Sequence, residues 1–467
     1  MEENANRILI RGGTIVTPDG CFPGDVAIED ESIVAVGTGL RLREPFNVLD
    51  ARGCIVLPGL IDCHTHIKLD TGIFQTADDW EIGTRTAACG GITTVVDYAT
   101  QFPGQTLKQA VENRWAEAEG KACIDYGLHC MITDLPRGHE AGLGDLLRLG
   151  VPSVKVYTTY RPNYYADDDL ILRLLRASAS AGILVTLHCE NDALVTAATG
   201  DLIQRGQTSW RYHGRGRPAL AEQEAAQRAL FLAQAGGAPV YIVHCSSART
   251  VELVRQARGR GQVAFAETCI QYLLLDDSRY ESEHPEHFIL QPPLRDRADN
   301  DMLWRLIAEG AVSTVATDHC DYTLAQKTAV NDFTRTPGGL PGLETLLPLL
   351  YTYGVVEGRL TWENLARLVS ANPARIFGLY PRKGTLAPRA DADVVIYDPQ
   401  GEGTLQASQL HNAAGYTPYE GMRVQGCVKM TIARGQVAFE DGEFKGTPGR
   451  GQFIASEPFD PERFRQP

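Results

Sequence analysis

Two histidines, two residues apart, close the apolar run Leu60-Ile61-Asp62-Cys63-His64-Thr65-His66. In an extended strand residues i and i+2 share a face, so His64 and His66 stand side by side and Cys63 and Thr65 turn to the other face. Two adjacent imidazoles make half of a zinc-type site. Four more polar residues occupy comparable positions. Val154-Lys155-Val156-Tyr157 sets a lysine in an apolar run, where an ammonium is expensive unless it is paired or reaches solvent. Leu187-His188 and Val243-His244 each end on a histidine, and Ala316-Thr317-Asp318-His319 brings in a carboxylate that either ligates a metal or caps a helix. Each has an ordinary structural explanation when taken singly. The joint pattern of His64, His66, Lys155, His188, His244 and Asp318 would need the same coincidence at every one of them. Cys63, Cys189, Cys245 and Cys320 lie beside these positions, but strand alternation points the thiols away from the histidine face. The ligands are therefore nitrogen and oxygen, a set that accepts several divalent ions.

Those residues sit on short β-branched runs at 54–61, 93–98, 126–132, 153–157, 183–188, 240–244, 263–268 and 313–317. Helix-like stretches follow several of them, at 107–118, 170–181, 219–235 and 300–309. Eight strands alternating with helices over roughly 300 residues predict a (β/α)8 barrel, whose active site gathers at the C-terminal ends of the strands. A doubly wound sheet would carry a glycine-rich phosphate turn after its first strand, and none is present. The two chain ends have another texture, short apolar runs punctuated by Gly, Pro and Asp. The expected architecture is thus α/β: a TIM-type barrel over 55–383 and a smaller β-sandwich domain made of 1–54 and 384–467.

Composition narrows the function classes. Lys plus Arg is 44 against 58 Asp plus Glu, a net charge of −14, which argues against a nucleic-acid surface. There is no long uninterrupted apolar stretch for a membrane span and no secretion-signal pattern at the start, so the expected location is cytoplasmic. The 11 cysteines include no CxxC pair and are expected to be free thiols.

Gly59-Leu60-Ile61-Asp62-Cys63-His64-Thr65-His66, together with Lys155, His188, His244 and Asp318, resembles the cyclic amidohydrolases, a family that includes dihydropyrimidinases, hydantoinases, allantoinases and dihydroorotases. Lys155-Val156-Tyr157-Thr158-Thr159-Tyr160, Glu267-Thr268-Cys269-Ile270-Gln271-Tyr272-Leu273, Pro292-Pro293-Leu294-Arg295 and Lys383-Gly384-Thr385-Leu386 look most like the dihydropyrimidinase/hydantoinase branch. The resemblance implies two divalent ions, zinc first with manganese or cobalt as alternatives. His64, His66 and Asp318 would hold the more buried ion, and His188 and His244 the other. Lys155, carboxylated by CO2, would bridge them, which suits its chemistry, because an ammonium has no lone pair whereas a carbamate offers two oxygens.

The implied reaction is hydrolysis of a cyclic amide or imide, a 5,6-dihydropyrimidine or hydantoin, to an N-carbamoyl amino acid. Asp318 would move the proton and Tyr160 would donate to the developing oxyanion. Gln291 and Gly338 fall at substrate-contacting positions but depart from the Ser and Asn common in the branch, which opens the choice of ring, and Phe74, Tyr98, Tyr164 and Tyr165 are candidates for lining the loops between the barrel strands. Dihydroorotase is disfavoured, because its carboxylate-binding Arg is Lys68 here. Allantoinase shares the six ligands, while Tyr160 tilts the choice toward hydantoinase. A non-catalytic binding protein on the same fold, like the collapsin response mediators, is the reading from another class. Family members are usually homo-oligomers, so a tetramer or dimer is implied.

Overall fold

The computed structural model describes residues 6–43 and 45–464. Its strands, in chain order, are β1 (Arg7–Thr17), β2 (Gly20–Glu29), β3 (Ser32–Gly37), β4 (Asn47–Asp50), β5 (Ile55–Pro58), β6 (Leu60–Thr65), β7 (Ile92–Thr100), β8 (Asp125–Met131), β9 (Ser153–Tyr157), β10 (Leu184–His188), β11 (Val240–Ile242), β12 (Ala264–Cys269), β13 (Thr314–Ala316), β14 (Val394–Thr404), β15 (Arg423–Ala433), β16 (Gln436–Glu440) and β17 (Glu443–Phe444). From β6 to β13 each strand pairs in parallel with the next. The ring closes where Thr317 N–H donates to Asp62 Oδ1 at 3.2 Å and Thr65 bridges His319. This is the (β/α)8 barrel.

Several of the outer helices begin on side-chain caps. Thr106 forms a capping box ahead of Leu107–Ala118, and Asp167, Asn191 and Asp296 cap Asp168–Ala181, Asp192–Gln204 and Arg297–Ala308. Their buried apolar faces join the strands' outward residues in one continuous core. A separate cluster fills the barrel: Ile61, Cys63, Val96, Leu184, Tyr241, Val243 and Phe265, with Phe377 among them.

The terminal strands form the second sheet, nine strands in the order β17-β16-β15-β14-β5-β1-β2-β3, with β4 also on β1. They hydrogen-bond as one continuous sheet with a single core of Ile8, Ile10, Ile15, Val26, Val56, Val394 and Ile432. The first of the eight runs read as barrel strands, 54–61, is divided between the two sheets, Ile55–Pro58 in the terminal sheet and the chain from Leu60 in the barrel. Gly59 makes the division possible. A Cβ there would lie 2.1 Å from Thr93 Oγ1 and 2.9 Å from Asp393 Cβ, so only glycine lets the sheet approach the barrel this closely.

A buried charge cluster seals that junction. Lys383 Nζ donates to Asp125 (2.6 Å) and Asp393 (2.7 Å), and Arg434 Nε donates to Asp125 at 2.9 Å. Beyond β17 the chain returns beneath the barrel, where Ser456 N–H donates to Gly150 and Phe459 N–H to Gly182, just ahead of β9 and β10. All eleven cysteines are free thiols. Among the described residues no helix is long and apolar enough to cross a membrane.

Candidate metal centre

The polar residues singled out from the sequence meet at the C-terminal mouth of the barrel. His64 lies on β6, Lys155 on β9 and His188 at the end of β10, while His244 and Asp318 lie two residues beyond β11 and β13. His64 Nε2 is 2.8 Å from Lys155 Nζ and 3.2 Å from Asp318 Oδ1, and His66 Nε2 is 3.4 Å from the same oxygen. His188 Nδ1 faces His244 Nε2 at 2.9 Å, and the His64 and His244 rings stack at 5.3 Å. His64, His244 and Asp318 bring ligand atoms within 4.8 Å of one another. His64 is fully buried, Lys155 is 1% exposed and His188 and His244 are each 2% exposed, so these donors face each other with little water. The backbone is forced to present two of them: His244 and Asp318 have φ of 38° and 51°, and Tyr160 has 74°. Such left-handed conformations in non-glycine residues are costly and collect at functional sites.

A second layer of carboxylates fixes the rings. Glu267 Oε1 accepts from His64 Nδ1 at 2.6 Å and from His244 N–H at 2.9 Å. Glu190 Oε2 accepts from His188 Nε2 at 2.8 Å, and Arg217 Nε donates to Glu190 Oε1 at 2.9 Å. Each arrangement commits one ring nitrogen to N–H and leaves the other as a lone pair aimed inward, the usual preparation of a metal-binding histidine.

Electrostatics agree with that preparation. Burial, with the Lys155 charge beside it, pushes the His64 pKa well below its ordinary value, and burial does the same to His244. Burial lowers Lys155 to about 8 and raises Glu267 to about 7. Burial alone would raise Asp318, but the imidazoles of His64 and His66 hold it down at about 2. Neutral imidazoles, a carboxylate and a lysine drawn toward its neutral form are what divalent ions require of a nitrogen/oxygen site. The residues present fit the ions that the sequence resemblance implies.

Tyr160 borders the cluster, with its ring 5.2 Å from that of His188 and the Arg217 guanidinium 5.2 Å above it. Burial raises its pKa, so the phenol keeps its proton. Gln291 and Gly338 touch each other and make one wall. A Cβ on Gly338 would fall 1.8 Å from Gln291 Oε1, so the Gln291 carboxamide lies on the bare Cα of residue 338. The wall abuts the loop of Asp318, since a Cβ on Gly339 would meet the Cys320 carbonyl at 2.2 Å. The two departures from the branch are thus one change, a larger side chain at 291 matched by a missing one at 338.

Two expectations need correction. Strand alternation placed Cys63 opposite His64, yet Cys63 Sγ lies 3.7 Å from Glu267, the residue that holds His64. An irregularity between Asp62 and Thr65 breaks the period of two, and both side chains enter the barrel. The thiol is inert for another reason: burial, with Glu267 close by, holds its pKa well above the usual thiol range. Tyr98, expected among the residues lining the loops, lies on β7 beneath the cluster, 5.0 Å from both His64 and His66. Phe74 does lie in a loop and meets Tyr322 edge-on at 6.2 Å, while Tyr164 and Tyr165 flank Tyr157. Glu190, Glu267 and Arg217 were given no role from sequence. The sequence signal for the two glutamates is an acidic residue close to a candidate strand end, and Arg217, between two helices, has no such signal.

The amidohydrolase family profile matches residues 55–438. D-phenylhydantoinase from Escherichia coli O17:K52:H18 (strain UMN026 / ExPEC) is 43% identical over 459 residues, covering 97% of this chain and 99% of that one. The crystal structure of dihydropyrimidinase from Brevibacillus agri NCHU1002 superposes with a TM-score of 0.95 at 34% identity, over 97% of this chain and 99% of the other. D-hydantoinase from Bacillus sp. AR9 gives 0.94 at 37% identity, over 97% and 100%. Divalent-metal use is a property of the family, and the cluster at the barrel mouth is the candidate for it. The chain belongs to the amidohydrolase family.

Proposed function

We propose that this protein hydrolyses the ring amide of a hydantoin or 5,6-dihydropyrimidine to an N-carbamoyl amino acid. The observation that carries the reading is the convergence of His64, His66, Lys155, His188, His244 and Asp318 at one barrel mouth, in a chain similar over nearly its whole length to a D-phenylhydantoinase. His64 and His66 with Asp318 would hold one divalent ion, and His188 and His244 the other, with Lys155 carboxylated between them. Zinc is the first choice, with manganese and cobalt as alternatives. Bound there, the ions would polarise the scissile carbonyl and acidify water.

The chain's own groups do the rest. Tyr160 donates its O–H to the carbonyl oxygen as negative charge develops. Asp318 takes a proton as water adds to the carbonyl carbon and returns it to the ring nitrogen as the C–N bond breaks. Gln291 and Gly338 wall the ring. Glu267 and Glu190 hold the ligand histidines and touch no substrate. The catalytic unit proposed is 55–383, apart from β5 (Ile55–Pro58), which pairs in the terminal sheet, with 1–54 and 384–467 as the accessory domain. A cytoplasmic homo-oligomer, tetramer or dimer, is part of the same reading.

The test is a turnover panel of dihydrouracil, hydantoin, 5-phenylhydantoin and allantoin with zinc-loaded protein. Ring opening of hydantoin or dihydrouracil is expected. Turnover of allantoin alone would replace the reading with allantoinase, and a metal-loaded protein inert toward all four would point to a binding protein.

A further inference from the structure

Lys327 is completely buried, on the short helix Leu324–Thr328, and it makes no ion pair among the described residues. Its Nζ donates instead to three backbone carbonyls: Ile289 at 2.7 Å, Pro337 at 3.0 Å and Gly339 at 2.9 Å. Three acceptors match the three N–H bonds of an ammonium, so no donor is left over. Burying a cation with no carboxylate in contact, Glu286 acting only at longer range, is expensive, and a neutral packed residue would hold two loops together at lower cost.

What the three carbonyls share is position. Ile289 is two residues before Gln291, and Pro337 and Gly339 flank Gly338 on either side. The same two segments meet directly, through Gly339 N–H donating to Ile289 O at 3.0 Å and through the Gln291 carboxamide lying on Gly338. A rigid spacing is essential there, because the contact is side chain against bare Cα and has no slack. His213 Nε2, 2.7 Å from Leu290 O, holds the same segment from another side.

The geometry points to Lys327 as a positioning residue for the substrate: its ammonium sets the spacing between segments 289–291 and 337–339, and so fixes the wall against which the cyclic amide is bound. This rests on the proposal that Gln291 and Gly338 face the ring. Lys327 itself is out of contact with the metal cluster residues, so its loss acts on ring binding and leaves the metals and the chemical step alone.

The test uses zinc-loaded full-length protein with Lys327→Met, which removes the donors, and Lys327→Gln, which keeps a neutral amide donor and is easier to bury. For the Met variant KM for hydantoin and dihydrouracil is expected to rise at least about 10-fold, with kcat within about 3-fold and zinc content unchanged; the Gln variant falls between it and wild type. A KM rise at constant kcat is the mark of lost binding shared by ground and transition states. Unchanged KM in the Gln variant, with any loss confined to kcat, zinc content or Tm, would overturn the assignment. The Gln variant decides alone if the Met variant does not fold. Failure of wild type to open any ring would instead sink the proposed function, so the two outcomes are distinguishable.

Discussion

Glu267 Oε1 lies 2.6 Å from His64 Nδ1, and the same oxygen accepts the His244 backbone N–H at 2.9 Å. One carboxylate on β12 thereby orients candidate ligands from two other strands and fixes the tautomer of the first. Its other oxygen accepts from Tyr241 O–H at 2.7 Å, so the group has no freedom to swing away.

Glu267→Gln is expected to weaken zinc retention about 10- to 100-fold, because a neutral amide holds the His64 N–H less well and makes the ring a poorer donor. Zinc per chain after dialysis against graded chelator measures this. Circular dichroism should stay at the wild-type level, since the substitution keeps volume.

Tyr160→Phe removes one O–H and little else. It should lower kcat about 10²- to 10³-fold, the usual effect of losing an oxyanion donor, with zinc content unchanged. A kcat within 2-fold of wild type would remove Tyr160 from the mechanism.

Gly338→Asn alone drives a side chain into the Gln291 carboxamide, 1.8 Å from where its Cβ would stand. It should lower Tm and ring turnover. Adding Gln291→Ser vacates that space, so the double variant should recover most of both. Contacting residues couple in this way, and strictly additive losses would show that the two positions are independent.

Asp125→Asn removes a carboxylate that Lys383 and Arg434 hold below the usual carboxylate pKa, against the upward push of burial. A carboxyl depressed in the folded state contributes stability that is complete above its unfolded pKa of about 3.9 and is lost as pH falls through the lower folded value. The Tm gap between wild type and variant should therefore be widest near neutral pH and narrow below about pH 4. At pH 7 the loss should be about 3–5 kcal/mol, because two buried cations lose a partner. Thermal melts at several pH values check both the size and the sign.

Much of the barrel was legible because strand runs and helix faces are local signals. The run at 153–157 is β9, and the stretch at 107–118 is the helix Leu107–Ala118 with its Thr106 cap. His64, His66, Lys155, His188, His244 and Asp318 were legible because a parallel barrel must gather its strand ends. The hidden part depended on three-dimensional packing. The break at Gly59 follows from the approach of Thr93 and Asp393, residues far from it in the chain. The inward turn of Cys63 follows from a register slip that a period of two cannot express. Lys327 carried no signal at all: its three partners are backbone carbonyls, which every residue has.

The central claim is metal-dependent ring opening by the clustered histidines, Lys155 and Asp318. The measurement that tests it most directly is hydantoin turnover by metal-stripped protein titrated with zinc in the presence of bicarbonate. Activity should be absent without metal, rise to a plateau at two zinc per chain, and yield N-carbamoylglycine. Turnover that is undiminished in the stripped protein, or no turnover with two zinc bound, would contradict the account.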